Sequence, residues 1–256
     1  MKVTVVGCSG SVPGPTSPAS CYLVEALDDD GRTWRVVLDL GNGALGPLQR
    51  YVDPAALDAV LLSHLHPDHC LDLCGLYVML RYGPGAARPT RLPVWGPAGT
   101  ADRMARAYDL PPVPGMSGRL EFCTYADGRP IAIGPLTVTP IRVNHPVQAY
   151  GLRLEHRGQV LAYTGDTDSC EALNPLCHNA SLLLADSAFV DGRDPVEGVH
   201  LSGRRAAQAA VEAGGVRRLV LTHLPPWNDA QVCLEQARQV WDGPLKVARA
   251  GATYDV

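Results

Sequence analysis

With 256 residues, the chain is long enough to bury a sizeable core, as one large domain or two small ones. Its hydrophobic content of 46% and charged content of 19% are ordinary for a soluble globular protein, and its net charge of −4 argues against nucleic acid as the main partner, since nucleic-acid-binding domains usually carry a basic balance. No apolar run approaches the ~18 residues that span a bilayer, and glycines interrupt the N-terminus too early for a signal peptide, so we expect a cytoplasmic protein with no membrane partner.

Short apolar strands dominate the first half of the chain. KVTVVG, CYLVEA and WRVVLDLG are rich in valine and leucine and end in turn residues. DAVLLSH is a further strand, and its last residues enter a cluster of histidines. Pro67 suits the first turn of a helix, and HCLDLCGLYVMLRYG continues with helical apolar spacing. The histidine cluster therefore lies where a strand ends and a helix begins, a position that favours function in a layered α/β protein.

The second half alternates strands and helices after a loop at residues 83–93 and a helix at 99–110. The predicted strands are LPVWGP, LEFCTYA, IAIGPLTVTPIRVNH, SLLLADSAF and RRLVLTH, with a closing strand LKVARAGATYDV and a hairpin, YGLRLEHRGQVLAYTGD, that turns at Arg157-Gly158. SGRRAAQAAVEAGG and DAQVCLEQARQVWDG are predicted helices. This order predicts one α/β domain, residues 1–256, with two sheets packed face to face and helices outside them.

The segment SHLHPDHC, residues 63–70, contains four residues of the types that bind transition metals: His64, His66, Asp68 and His69. His64 and His66 are two apart on an extended segment, so both side chains can face the same way. The turn at Pro67 lets Asp68 and His69 face a second position nearby. One ion cannot easily use four ligands from so short a stretch, whereas two adjacent ions can.

Further candidate ligands each lie where an apolar strand ends. His145 closes TVTPIRVNH, Asp166 closes VLAYTGD and His223 closes RRLVLTH. Taken alone, each is more typical of a hydrogen-bonded surface residue than of a ligand. A repeated pattern of strand followed by ligand at one sheet edge is, however, what a preorganised metal site requires. An aspartate at the end of a buried strand also needs a partner, and Asp39 in VVLDLG is the candidate that fixes the histidines.

SHLHPDH, the VNH of His145, TGDT and the LTH of His223 resemble the ligand motifs of the metallo-β-lactamase superfamily in order and approximate spacing. The resemblance runs nearly end to end and implies an αββα four-layer sandwich with two metal ions at one edge. It implies that His64, His66 and His145 hold the first ion, that Asp68, His69 and His223 hold the second, and that Asp166 bridges them. Superfamily members that use redox iron commonly replace a histidine of this cluster with a carboxylate, so zinc is favoured here, with manganese as the alternative.

Two ions that share one water lower its pKa towards ~7, so the resulting hydroxide can attack carbonyl carbon or phosphorus. Asp68 can both bind a metal and orient that hydroxide. The chain also resembles the branch of tRNA 3′-end endonucleases and related phosphodiesterases, which implies that His200 in GVHLSG donates a proton to the leaving alkoxide and that Asp186 in LLLADSAF fixes its imidazole. The best-known relatives carry glutamate at the position that corresponds to Asp186. A surface-loop histidine is the alternative for His200, and His156 and His178 match no motif and are assigned to the surface.

Three serines are candidate substrate ligands. Ser202 is the predicted N-cap of the alanine-rich helix, whose positive end suits a phosphate. Ser9 and Ser11 lie in a glycine- and serine-rich turn near the metal edge and could offer hydroxyls to phosphate, although a simple turn role is equally consistent with this sequence. The segment 111–118 is expected to be a connector rather than a cover over the active site.

Phosphodiester hydrolysis is the predicted reaction, and two substrates compete. Only twenty residues separate His145 from Asp166, which leaves room for a hairpin but not for the long arm with which known tRNA 3′-processing enzymes grip tRNA. VVGCSGSVPGPTSPASCYL, LSHLHPDHCLDLCGL, HLSG and LTHLPPW are similar to actinobacterial cyclic-nucleotide phosphodiesterases of the atypical class II kind, which implies 3′,5′-cyclic AMP or a similar small cyclic phosphodiester. A tRNA endonuclease-like enzyme, a thioester or lactone hydrolase and a non-catalytic metal-binding scaffold are the alternatives. Relatives are often dimers, and the helix at 77–82 with the 83–93 loop is the candidate contact of a homodimer.

Overall fold

Two mixed β-sheets form the centre of the protein, in a computed structural model that describes residues 1–83 and 90–256. Within these ranges, the first sheet consists of Lys2–Gly7 (β1), Cys21–Leu27 (β2), Thr33–Leu38 (β3), Ala59–Leu61 (β4), Leu92–Gly96 (β5), Leu120–Thr124 (β6) and Thr253–Asp255 (β14). Their order is β14-β1-β2-β3-β4-β5-β6. The strands from β3 to β6 run parallel, so their carboxyl ends meet at one edge of this sheet.

The second sheet consists of Ile131–Ile133 (β7), Leu136–Arg142 (β8), Tyr150–His156 (β9), Gln159–Tyr163 (β10), Leu182–Asp186 (β11), Leu219–Thr222 (β12) and Leu245–Val247 (β13), in the order β13-β12-β11-β10-β9-β8-β7. The strands from β10 to β13 are parallel. Since β8 and β10 are both antiparallel to β9, they run in the same direction. The carboxyl ends of β8, β10, β11 and β12 therefore meet at one edge.

Helices cover the outer face of each sheet. They are Leu45–Leu48 (α1), Pro67–Cys70 (α2), Leu73–Tyr82 (α3), Thr100–Ala107 (α4), Leu173–Cys177 (α5), Gly203–Ala213 (α6) and Ala230–Arg238 (α7), with a 3₁₀ turn at Pro54–Ala56. One buried core fills the space between the sheets. A second packs α3 against the first sheet, and a third packs α5, α6 and α7 against the second sheet. The predicted αββα sandwich is confirmed, and no helix in the described ranges is long and apolar enough to cross a membrane.

Several local predictions were wrong for identifiable reasons. The closing segment is two strands in different sheets, because the chain turns at Gly251, whose φ is +88°, and β14 then pairs with β1. The helix predicted after Pro67 is interrupted between α2 and α3. Helix α5 went unpredicted, since it is short and contains Pro175.

Part of the predicted 83–93 loop and dimer contact lies outside the described residues. Segment 111–118 forms turns whose Met116 is buried in the outer core of the first sheet, as a connector does.

Gly203, the first residue of α6, is expected to resist substitution because α7 lies directly against it. A Cβ atom there would be 2.1 Å from the carbonyl oxygen of Cys233. The Gly203→Ala variant should lose about 1–3 kcal/mol of unfolding free energy, as overpacked interiors do. Gly46 in α1 is the matched control, since nothing lies within 4 Å of its added Cβ. Urea unfolding of both variants provides the measurement, and a Gly203→Ala variant as stable as Gly46→Ala would contradict this packing.

Candidate metal centre

The candidate ligands lie just after strand ends, at the edge where the carboxyl ends of the parallel strands meet. His64 follows β4, and the chain then turns through Pro67 into α2, which carries Asp68 and His69. On the second sheet, the ligands follow the ends of β8, β10 and β12, at His145, Asp166 and His223 respectively. The seven predicted ligands, scattered over 160 residues of sequence, converge in two groups that share Asp166.

The first group contains His64, His66, His145 and Asp166. The Nε2 atom of His64 lies 3.0 Å from Nδ1 of His66, and Nε2 of His145 lies 3.2 Å from the same Nδ1 atom. Asp166 Oδ2 is 3.6 Å from His64 Nε2. His64 and Asp166 are buried, whereas His66 and His145 are partly exposed, so this group opens to solvent on the side of these two histidines.

The second group contains Asp68, His69, His223 and Asp166, all of them buried. Asp68 Oδ2 lies 3.4 Å from Nε2 of His69 and 3.6 Å from Nε2 of His223. Asp166 places Oδ1 at 3.2 Å from His69 Nε2 and Oδ2 at 3.2 Å from His223 Nε2. One carboxylate therefore contacts histidines of both groups, which is the geometry that a bridging ligand requires.

Unpartnered polar atoms show that these residues suit divalent cations. His69 Nε2, His223 Nε2 and Asp166 Oδ1 are buried and have no hydrogen-bond partner among the described residues. Leaving such atoms unpaired costs about 1–3 kcal/mol each. Ligand atoms ~2.0–2.2 Å from a tetrahedral zinc ion lie ~3.3–3.6 Å apart, close to the separations found here. The donor set of imidazole and carboxylate, the spacing and the orphaned atoms all fit divalent metal binding.

Hydrogen bonds behind the ligands fix the imidazole rings. Asp39, which was predicted from the sequence to do this, accepts from Nδ1 of His69 at 2.7 Å. It also accepts from the backbone N–H and hydroxyl of Ser63, at 2.6 and 2.7 Å, and from the hydroxyl of Tyr163 at 2.7 Å. Such outer contacts select the tautomer that leaves Nε2 free for a metal.

Three supporting contacts were missed by sequence reasoning. Ser20 Oγ lies 3.0 Å from Nδ1 of His223, Ser63 Oγ lies 3.1 Å from Nδ1 of His64, and the carbonyl of Val199 lies 2.8 Å from Nδ1 of His145. Serine is common in turns, and a backbone carbonyl leaves no trace in side-chain chemistry. Only the position of Ser63 beside His64 offered a usable signal.

Burial and charge oppose each other at the buried ligands. Burial alone would raise the pKa of Asp166, but His223, His69 and His64 hold that pKa well below its ordinary value. Burial alone would lower the pKa of His69, but Asp166 and Asp39 raise it well above the ordinary value. The charges of these groups offset the cost of burying them, and a divalent cation held by the same residues would neutralise the carboxylates directly.

His200 lies beside both groups. Its Nδ1 atom donates to Asp186 Oδ2 at 2.9 Å and lies 4.0 Å from Asp166 Oδ2. The ring centroid is 5.5 Å from that of His145 and 5.4 Å from that of His223. Asp186 also accepts from two backbone N–H groups, so it is itself fixed. The predicted Asp186–His200 pair is present in the structure and adjoins the candidate ligands of both ions.

The predicted substrate serines differ in their surroundings. Ser202 caps α6 as expected, accepting from the N–H of Arg205 at 3.2 Å, and it is fully buried. Ser9 is buried and donates to the carbonyl of Val12, whereas Ser11 is exposed with a φ of +62°. Gly10, between these two serines, packs on His223. A Cβ atom added to Gly10 would lie 2.1 Å from the carbonyl oxygen of His223. Substrate contacts by Ser9, Ser11 and Ser202 all remain predictions, and Ser11 is the exposed member of the three.

The two unassigned histidines behave differently from each other. His178 is exposed, as predicted. The surface assignment of His156 was wrong: the residue is buried at the end of β9, and its Nε2 lies 3.0 Å from the carbonyl oxygen of Leu27. A hydrogen bond to a backbone carbonyl on the other sheet satisfies its polar ring, which a single sequence cannot reveal.

The Asp39→Asn variant should bind metal about 10–100-fold more weakly, since loss of a carboxylate behind a metal-binding histidine typically has this effect. Competition with a chromogenic chelator measures the change. Asp102→Asn is the matched control, because Asp102 pairs with Arg106 on the exposed face of α4. Equal zinc affinity in Asp39→Asn, Asp102→Asn and the unaltered protein would contradict the role assigned to Asp39.

Comparison with known proteins places the chain in a family. The model of the beta-lactamase superfamily domain matches residues 34–224. Protein ML1173 of Mycobacterium leprae is 41% identical, over 100% of this chain and 89% of its own. The probable metallo-hydrolase YhfI of Bacillus subtilis is 29% identical over 100% of both chains. The crystal structure of YhfI superposes with a TM-score of 0.86, covering 99% of each chain.

A ribonuclease Z is also related. The enzyme from Myxococcus xanthus is 27% identical over 310 aligned positions, which take in 100% of this chain and 98% of the ribonuclease. Because the alignment is longer than this chain, the ribonuclease carries stretches that have no counterpart here. The family match covers most of the chain and includes all seven predicted ligands, with the HxHxDH cluster in full. The chain belongs to the metallo-β-lactamase superfamily and is a metal-dependent hydrolase.

Proposed function

We propose that this hydrolase cleaves small cyclic phosphodiesters and that 3′,5′-cyclic AMP is the leading candidate substrate. The observation that carries the proposal is the Asp186–His200 pair beside the shared ligand Asp166. A phosphodiester releases an alkoxide, which needs a proton, whereas a thioester releases a thiolate that needs none. A fixed imidazole at this position is therefore more useful for phosphodiester cleavage.

The ligand residues have defined tasks in this proposal. Two divalent ions, most simply zinc with manganese as the alternative, would lower the pKa of a water between them and draw charge from the phosphate oxygens. Asp68 places Oδ2 between His69 and His223, and the described residues provide no hydrogen-bond donor for its other oxygen. That oxygen can accept a hydrogen bond from the attacking water and direct it at phosphorus.

His200 acts on the leaving group in this proposal. Burial alone would lower its pKa, but the charge and hydrogen bond of Asp186 raise it to about 9. The imidazole therefore carries a proton at neutral pH, and cations held at Asp166 would bring its pKa nearer to neutrality, where a general acid works best. Nε2 of His200 accepts or donates no hydrogen bond within the described residues, so this atom is free to donate to the leaving oxygen.

The short stretch of chain between the ligands His145 and Asp166 favours a small substrate. The residues between His145 and Asp166 form a short connection and the β9–β10 hairpin, which turns at Arg157 and Gly158. These residues leave no length for an arm that grips a tRNA, and the net charge of −4 offers no compensating attraction. A small cyclic substrate needs neither feature.

Cytoplasmic location and a homodimer remain predictions.

A substrate panel tests the proposal. Zinc- or manganese-loaded protein is incubated with cyclic nucleotides, cyclic ribose phosphates, bis-p-nitrophenyl phosphate, a thioester, a lactone and precursor tRNA. We expect the highest kcat/KM on a cyclic nucleotide. Efficient cleavage of precursor tRNA with inert cyclic AMP would favour the ribonuclease-like alternative, and turnover of esters alone would favour a thioester or lactone hydrolase. Metal-loaded protein that turns over nothing in the panel would favour a binding scaffold.

The His200→Ala variant should separate substrates by leaving group. General acid catalysis contributes about 10²–10⁴-fold, so we expect kcat on cyclic AMP to fall by that order. Bis-p-nitrophenyl phosphate releases a stable phenolate that needs no proton, and its hydrolysis should fall far less. Metal content, measured by plasma mass spectrometry, should not change.

His178→Ala is the control, since His178 is exposed and its ring nitrogens contact the carbonyl oxygen of Ala213 at the end of α6 and the side chain of Asn179. A uniform loss on both substrates in His200→Ala would mean that this histidine maintains the site rather than donating a proton.

A further inference from the structure

Asp168 lies two residues beyond the shared ligand Asp166 and joins three loops of the site. Its side chain is buried, with an exposed fraction of 8%. Its Oδ2 atom accepts from the N–H of Gly198 at 2.7 Å, and its Oδ1 atom accepts from the N–H of Ser169 at 2.7 Å. Its own N–H donates to the carbonyl of Asn144 at 2.8 Å. The loop after β10 is thereby tied to the loops that carry His145 and His200.

Arg205 supplies the counter-charge for this carboxylate. Its guanidinium donates through Nη1 to Asp168 Oδ1. The backbone N–H of Arg205 is bonded to the N-cap Ser202, so the base of the side chain is fixed by α6. An arginine–carboxylate pair that also binds backbone N–H groups has little freedom to move. The pair connects the metal-binding edge to a rigid helix.

The segment 198–200 is held at both ends by carboxylates. Gly198 is bound by Asp168, and His200 is bound by Asp186. The carbonyl of Val199 between them accepts from Nδ1 of His145. A shift of Gly198 would therefore move the imidazole of His200, even though Asp168 does not contact that imidazole.

We infer that Asp168 and Arg205 form a positioning pair that holds the loop before α6 so that His200 faces the leaving group. The inference rests on the proposed function, because it assigns His200 the role of proton donor. Neither member of the positioning pair touches the reacting atoms. Misplacement of a catalytic group by ~1 Å can cost about 10²-fold in rate, so loss of the pair should act on the chemical step rather than on substrate binding.

The isosteric Asp168→Asn variant and the charge-removing Arg205→Gln variant test the inference. Each should lower kcat on cyclic AMP by about 10–100-fold with little change in KM, and each should change kcat on bis-p-nitrophenyl phosphate by less than about threefold. Arg204→Gln is the matched control, since Arg204 is the preceding residue of α6 and contacts Asp191 and Gln239 but not Asp168. The control should match the unaltered enzyme on both substrates.

The double variant Asp168→Asn/His200→Ala decides whether the positioning pair acts through His200. If it does, the double variant is no slower on cyclic AMP than His200→Ala alone, because residues that act as a unit are not additive. Multiplied losses, or equal losses on both substrates in Asp168→Asn, would overturn the inference. Unchanged kcat in both single variants would overturn it as well.

A measurement without turnover separates this inference from the proposed function. In zinc-loaded protein, the Nδ1 proton of His200 shared with Asp186 should give a downfield proton resonance, assigned by its loss in His200→Ala. We expect this signal to be broadened or lost in Asp168→Asn and Arg205→Gln and kept in Arg204→Gln. If the unaltered protein cleaves no phosphodiester, the proposed function fails, yet the signal still tests the positioning. An unchanged signal in Asp168→Asn would sink the positioning pair alone.

Discussion

Burial of the Asp166 carboxylate among imidazole nitrogens is the constraint on which the rest of the site depends. The charged form survives burial because His223, His69 and His64 surround it and hold its pKa well below the ordinary value. Even so, one of its oxygens and two of the facing nitrogens have no partner among the described residues. Folding alone leaves these atoms unsatisfied, and divalent cations bound between them would complete the arrangement.

Two residues of the site also have strained backbone conformations. Asp39 and His223 both adopt positive φ angles, +56° and +59°, which residues with a Cβ rarely do. The cost of such conformations, about 1–3 kcal/mol each, is sustained where surrounding contacts over-determine the backbone. Asp39 is held by hydrogen bonds to Ser63, His69 and Tyr163. At His223, Gly10 packs so closely on the backbone that no side chain fits between them. Glycine at position 10 is therefore part of the metal site.

Sequence reasoning succeeded where residue chemistry and strand ends coincide. His64 and the other ligands were found because imidazole and carboxylate groups after apolar strands are a local pattern, and the αββα layers follow from the order of strands and helices. Contacts made by a backbone carbonyl or a serine, such as Val199 with His145 and Ser20 with His223, have no such pattern, because they depend on which loops meet in space. The closing segment was predicted as one strand for a similar reason. It forms two strands because β13 pairs with β12 in the second sheet and β14 pairs with β1 in the first.

The position of His200 is set by the backbone that precedes it as much as by the carboxylate it contacts. Gly198 is bound by Asp168, and α6 begins three residues beyond His200, so the short segment between these two points is anchored at both ends. The imidazole is thereby held at the end of β11, where its Nδ1 atom lies 2.9 Å from Asp186 Oδ2. Because aspartate has a single methylene, its carboxylate stays close to β11, and the pair depends on the loop that brings the imidazole to it.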